Sequence, residues 1–171
     1  MSILKILKYP NIKLRKISKP VKNFNNDLKN IINNMLETMR KNNGIGLAAI
    51  QINIKLQIIV IEKIHPLKKV LILINPKIKK KSKKIIKIKE GCLSIPKYEY
   101  ITNSRSKNIL VKAYNKYGEK FFIKAKNMLS VCIQHEIDHL KGKLFIDYLS
   151  PLKKDRIDKY IMKKIKKNEK T

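Results

Sequence analysis

Two of the three histidines in this 171-residue chain stand four positions apart in QHEIDH, residues 134–139. On a helix His135 and His139 lie about 40° apart in projection and one turn apart in height, so two imidazoles can converge on one ion. Glu136 sits about 100° round the same helix, where it can stand beside such an ion without ligating it. This is the H-E-x-x-H arrangement, whose glutamate serves as general base toward water. The plain alternative is a surface helix with two unrelated histidines. The scarcity of histidine weighs against it.

An open catalytic metal site commonly has three protein ligands, so a third must come from elsewhere. No histidine follows position 139, and the remaining candidates are the two cysteines. Cys132 falls on the histidine face of the helix but seven residues from His139, about 10.5 Å of rise, too far for a short side chain to reach an ion shared by both rings. Cys92 lies in EGCLSIP, a turn-like stretch with Gly91 before it and Pro96 after, which suits presentation of a thiolate.

GIGLAAIQ (44–51), EGCLS (90–94) and QHEIDH (134–139), in that order and spacing, resemble the three motifs of the peptide deformylases, and the tail GKLFIDYLSPLKKDRI (142–157) is similar to bacterial members. The resemblance covers nearly the whole chain. It implies Cys92, His135 and His139 as ligands of one divalent ion, typically Fe(II), with Zn, Ni or Co able to occupy the same donors. It implies hydrolysis of the N-formyl group of the N-terminal formylmethionine of nascent polypeptides, releasing formate. Glu136 would be the general base turned acid, and the Gln51 amide and Leu93 N–H would be the oxyanion donors. Ile45, Ile88, Val131 and Cys132 match positions that line the methionine pocket, and Gly46 and Glu90 match residues that bind or brace the substrate and its loop. Where bacterial members often carry an arginine, this chain has Glu99. Asp138, left over from ligation, is expected to contact Arg105 or a backbone amide behind the site.

The elements that must position these residues read as an α+β domain, mixed or antiparallel strands packed around a central HExxH helix, with a C-terminal helix. Leu28, Ile31, Ile32, Met35, Leu36 and Met39 predict a helix over 27–41, capped by Asp27. After a glycine-rich loop, LQIIVI (56–61), VLILI (70–74) and IIKIK (85–89) predict strands, and NILVKAY (108–114) with KFFIKA (120–125) predicts a hairpin turning at Gly118. Residues 127–141 return to helical periodicity, and Ser150-Pro151 suits the start of a last helix. Neither repeats nor Gly/Ser linkers divide the chain, so residues 1–171 are expected to form one catalytic domain. His65 is expected in a loop.

The formal charge of +29 points to anionic partners, yet lysine is abundant everywhere and KIKKKSKKIIKIK (77–89) has no interleaved aromatics for base stacking. Residues 151–171 carry nine basic and three acidic residues. A helix there would place Ile157, Tyr160, Ile161 and Ile165 on one side and Lys159, Lys163, Lys166 and Lys170 on the other. The resemblance suggests docking of this basic helix on the ribosome near the exit tunnel. No apolar run suits a signal peptide or a membrane span, and two cysteines suit a reducing compartment, so a cytoplasmic protein is expected. The rival readings are an HExxH zinc endopeptidase, which has no use for GIGLAAIQ, and a basic RNA-binding protein with a structural metal site.

Overall fold

In the computed structural model, residues 2–64 and 69–168 are described; His65 lies outside them. Helix α1 (Asn26–Lys41) is followed by strands β1 (Gly46–Ala48), β2 (Ile58–Ile61), β3 (Leu71–Lys81), β4 (Lys89–Cys92), β5 (Ile95–Ile101), β6 (Asn108–Tyr114) and β7 (Lys120–Lys126), then helices α2 (Asn127–Leu140) and α3 (Pro151–Asn168). A five-stranded antiparallel sheet has the order β1-β2-β3-β6-β7, and β4-β5 form a separate antiparallel pair. Among the described residues no helix is long and apolar enough to cross a membrane.

The unbroken apolar run of β2 is explained by burial on both faces, since successive side chains of a strand point to opposite sides. Ile59 and Ile61 join Ala48, Leu73, Val111 and Ala125 in a core against Leu129, Ile133 and Ile137 of α2. Ile58 and Val60 point the other way, into a core with Leu28, Ile32, Met35 and Met39 of α1. A third cluster, built on Leu14, Ile95, Phe145 and Ile157, ties the N-terminal segment, β5, the turn after α2 and α3 together. Helix α2 is therefore enclosed on nearly all sides, with His135, Glu136 and His139 buried among its apolar residues.

Several local expectations change. The cap of α1 is Asn25, whose side chain accepts from Leu28 N at 3.1 Å, because Asn25 and not Asp27 has the extended backbone that precedes a first turn. The glycine-rich loop contains β1, whose backbone completes the sheet beside β2. The stretch IIKIK is not a strand. Ile85 makes one bridge to Ser106, and regular pairing begins only at Lys89. Leu93 and Ser94, just after Cys92, form the expected turn, and the residues beyond it, Ile95–Ile101, form β5. Gly118 turns the β6–β7 hairpin at φ +85°, as expected. In α3, Ile157 is fully buried, Ile161 half-buried and Tyr160 edge-on to Tyr98, while Lys159, Lys163 and Lys166 are exposed. The Ile165 side chain and Lys170 fall outside the description.

Arg15 grips Asp147 with two bonds, 2.5 and 3.0 Å, fastening the N-terminal segment to the turn after α2. Burial pushes the Asp147 carboxyl up, but Arg15 and the Leu144 N–H outweigh it and hold the pKa below its usual 3.8. A depressed folded-state pKa adds stability above the unfolded value that is lost as pH falls through the folded one. Asp147→Asn is therefore expected to cost about 1 kcal/mol at neutral pH, a modest figure because the pair is partly exposed. In urea unfolding, the difference from the parent should shrink as pH drops below 3.8.

Candidate metal centre

Helix α2 delivers the two histidines and the β4–β5 pair delivers the cysteine. One donor atom each from Cys92, His135 and His139 lies within 4.8 Å of the others. Cys92 Sγ is 3.2 Å from His139 Nε2, and the two imidazole centroids are 5.0 Å apart. The trio brings one sulfur and two nitrogens to a point. That donor set suits a divalent transition metal. Cys132 is not part of the cluster, in line with its position one turn too far along the helix.

His135 is aimed from behind. Its Nδ1 donates to Glu90 Oε2 at 3.0 Å, which leaves Nε2 for the cluster, and Phe145 stacks on its ring at 6.0 Å. Burial pushes the Glu90 carboxyl up, yet bonds from His135 and Arg105 hold its pKa down at about 2. Burial also opposes a charge on His135, but Cys92 and Glu90 outweigh it and lift its pKa to about 10. Surroundings that favour a proton so strongly favour any cation at the same place. His139, by contrast, is driven well below its usual value by burial, followed by the repulsion of His135, and is held as the neutral imidazole that a metal requires. Its Nδ1 is buried without a partner among the described residues.

A buried network supports Glu90. Arg105 donates to it through Nε and Nη2, the latter at 2.8 Å, and through Nη1 to Asp138 at 2.5 Å. Thr102 Oγ1 also donates to Glu90, and Tyr148 Oη to Asp138 at 2.9 Å. The expected Asp138–Arg105 contact is present. Both carboxylate oxygens of Glu90 are engaged, so its side chain braces His135 from behind while the residue also lines the cavity. Gln134 anchors α2 to the loop before β6, accepting from Ser106 N and donating to Ser106 O.

A cavity of about 600 Å³ opens beside the cluster. It is lined by Ile45, Gly46, Gln51, Glu90, Leu93, Val131, Cys132 and Glu136 among others, but not by Ile88, whose half-buried side chain lies outside it. A Cβ on Gly46 would come within 2.7 Å of Glu136 Oε1 and 2.8 Å of Cys132 Sγ, so β1 reaches the helix only because this residue has no side chain. Glu136 Oε2 is buried with no hydrogen-bond partner among the described residues, and burial lifts the Glu136 pKa to about 7 against the pull of His135 and Arg105. Gln51 is oriented by Ala48 N, which donates to its Oε1 at 2.9 Å. Its Nε2 therefore faces Ser94 Oγ at 3.1 Å and Cys92 Sγ at 3.6 Å.

Arg105, Thr102, Ser94 and Phe145 were not singled out as parts of the centre from the sequence, apart from Arg105 as a partner of Asp138. The available signal was Glu90 itself, the sole acidic residue between Glu62 and Glu99 in a lysine-rich region.

Residues 3–155 match the family profile described as polypeptide deformylase. A peptide deformylase of Buchnera aphidicola subsp. Acyrthosiphon pisum is 57% identical over 170 residues, spanning 99% of this chain and 97% of the relative. Among solved structures, a peptide deformylase from Legionella pneumophila matches with a TM-score of 0.90 at 38% identity over 99% of both chains. The peptide deformylase from Ehrlichia chaffeensis in complex with actinonin matches with a TM-score of 0.90 at 36% identity over 100% of both.

Arg105→Met would leave the buried carboxylate of Glu90 and the partly buried one of Asp138 without their common cation. The expected loss is about 3–5 kcal/mol of unfolding free energy, as when one partner of a buried ion pair is removed. Denaturant unfolding measures it, and Arg105→Lys should recover only part, since an ammonium cannot serve both carboxylates in the guanidinium's fork geometry.

Proposed function

The chain belongs to the polypeptide deformylase family, metal-dependent enzymes that remove the N-formyl group from nascent peptides, and on that premise we propose which residues do the work. Cys92, His135 and His139 hold the metal, and Glu136 moves the proton. The observation that carries this reading is the convergence of three donor atoms within 4.8 Å beside a cavity that Glu136 lines. Fe(II) is the ion we assign, with Zn, Ni and Co compatible with the same donors. When bound, the ion supplies Lewis acidity, which lowers the pKa of water toward neutrality and polarises the formyl group.

The chain's own residues account for the rest of the reaction. Glu136, with its pKa near 7 and a free carboxylate oxygen, accepts the proton of the attacking water and returns it to the departing amine. The formyl carbon becomes tetrahedral, and its oxyanion takes hydrogen bonds from Gln51 Nε2 and from the backbone N–H of Leu93. Gln51 is prepared for this because Ala48 N fixes its amide with the donor toward the cluster. The methionine side chain occupies the apolar part of the cavity, against Ile45, Val131 and Cys132. Burial raises the Cys132 thiol well above its usual range, which supports a role as neutral wall and not as ligand.

We assign the reaction to the cytoplasm, where nascent chains emerge. We further propose that α3 docks on the ribosome near the exit tunnel, supported by the exposed row of Lys159, Lys163 and Lys166 opposite buried Ile157.

Formate release from a formyl-Met peptide under anaerobic, iron-loaded conditions tests the chemistry. Glu136→Ala should lower kcat by about 10² to 10⁴ with metal content kept, the range of a lost general acid–base group. Cys92→Ser should lose metal where Cys132→Ser keeps it. A Glu136→Ala enzyme that still turned over would refute the assignment. For the docking, removal of residues 151–171 should abolish salt-sensitive cosedimentation with ribosomes, and undiminished binding would refute it.

A further inference from the structure

The segment Leu7–Tyr9 touches the two proposed oxyanion donors and the turn between them at three consecutive points. Leu7 N donates to Gln51 O at 2.7 Å, and Tyr9 N donates to Ser94 O at 2.8 Å. Between them, Lys8 Nζ donates to Leu93 O at 2.6 Å. Ser94 Oγ in turn accepts from the Gln51 amide at 3.1 Å, so residues 51, 93 and 94 and the strap form a closed loop of hydrogen bonds. The strap is itself fixed on either side. Ile6 is buried in the core beside α1, and Tyr9 Oη donates to Asp158 of α3 at 2.8 Å.

We propose that Lys8 is a positioning residue for deformylation: its ammonium, held by the anchored strap, fixes the Leu93–Ser94 peptide so that the turn carrying the Leu93 N–H keeps its aim beside Gln51. The proposal rests on the reading of Leu93 and Gln51 as oxyanion donors. The physical case follows from the geometry of that turn. It leads from Cys92 at the end of β4 into β5 at Ile95, with a break in register between Gly91 and Cys92, so the ladder alone leaves this stretch loosely held. The carbonyls of Leu93 and Ser94 are taken instead by Lys8 and Tyr9. A charge-assisted bond is stronger than a neutral one, and this one, although exposed, is short at 2.6 Å. Donors that must meet an oxyanion at 2.7–3.1 Å lose much of their effect when they drift by a fraction of an ångström. Lys8 does not touch the cavity, since it is not among its lining residues, so its influence must pass through Leu93.

Full-length, iron-loaded enzyme is assayed on a formyl-Met peptide as Lys8→Met, Lys8→Arg, Lys5→Met and Gln51→Ala. Lys5, three residues earlier and exposed, controls for loss of one charge in the same segment. Lys8→Met is expected to lower kcat by roughly tenfold, a part of the 10² to 10³ that a whole oxyanion donor contributes. KM, melting temperature and metal content should stay as in the parent, Lys8→Arg should restore most of kcat, and Lys5→Met should not change it. The defect should persist at high salt, and amides of residues 93–95 should exchange with solvent several-fold faster in Lys8→Met. A kcat within twofold of the parent, a defect that vanishes with salt, or unchanged exchange would each overturn the proposal. Gln51→Ala with undiminished kcat would instead remove the donor reading on which it rests, and the two failures are read from different variants.

Discussion

The centre depends on one carboxylate, that of Glu90, shared between His135 and Arg105 inside the protein. Taking Glu90, Arg105 and Asp138 out of water is costly, and the attraction between them compensates only when geometry is good and remaining valences are filled. Here they are filled: Glu90 takes His135, Arg105 and Thr102, and Asp138 takes Arg105 and Tyr148. The return is orientation. A histidine whose Nδ1 is committed to a carboxylate can present only Nε2, and its ring cannot rotate without breaking that bond. The same carboxylate links β4, which carries Cys92, to α2, which carries both imidazoles, so one joint ties the strand and the helix that bring the three donors together.

A second constraint is the distance between β1 and α2. Gly46 brings the strand so close to Glu136 and Cys132 that no side chain fits between. The approach excludes bulk water from Glu136, and that exclusion lifts its pKa to about 7. The packing of α1 and α2 on opposite faces of β1 and β2 is what holds this short strand in place, so the core and the raised pKa of Glu136 share a cause.

What could be read from the sequence was whatever depends on short-range spacing. The HExxH helix, its stop at Gly142 and the β6–β7 hairpin follow from periods of 3.6 and 2 and from glycine at positive φ. Cys92 could be reached by eliminating Cys132 on reach alone. Interactions that join distant segments were harder. Glu90 meets Arg105 across 15 residues and His135 across 45, and no local pattern marks such a meeting. The stretch 85–89 alternates like a strand, but a strand also needs a neighbour, and Ile85 finds only one bridge. β1 was hidden for the opposite reason: glycine is a poor strand former, and it is tolerated there because close approach to α2 demands it.

The charge of the whole and the charge of the site point in opposite directions. The chain carries a formal +29, yet the groups around His135 are negative enough to lift its pKa to about 10. Screening resolves the contrast. Exposed lysines act through water, where their fields fade over about 10 Å at moderate salt, whereas buried partners are screened far less. Glu90 and Cys92 are direct neighbours of the imidazole, so they govern whether a cation is welcome there. The lysines govern what the molecule meets outside. A basic surface can therefore favour encounter with polyanions without weakening the pull of the buried groups on a cation, provided Glu90 stays paired with His135 and Arg105. That separation lets a lysine-rich chain keep a cation centre at its core.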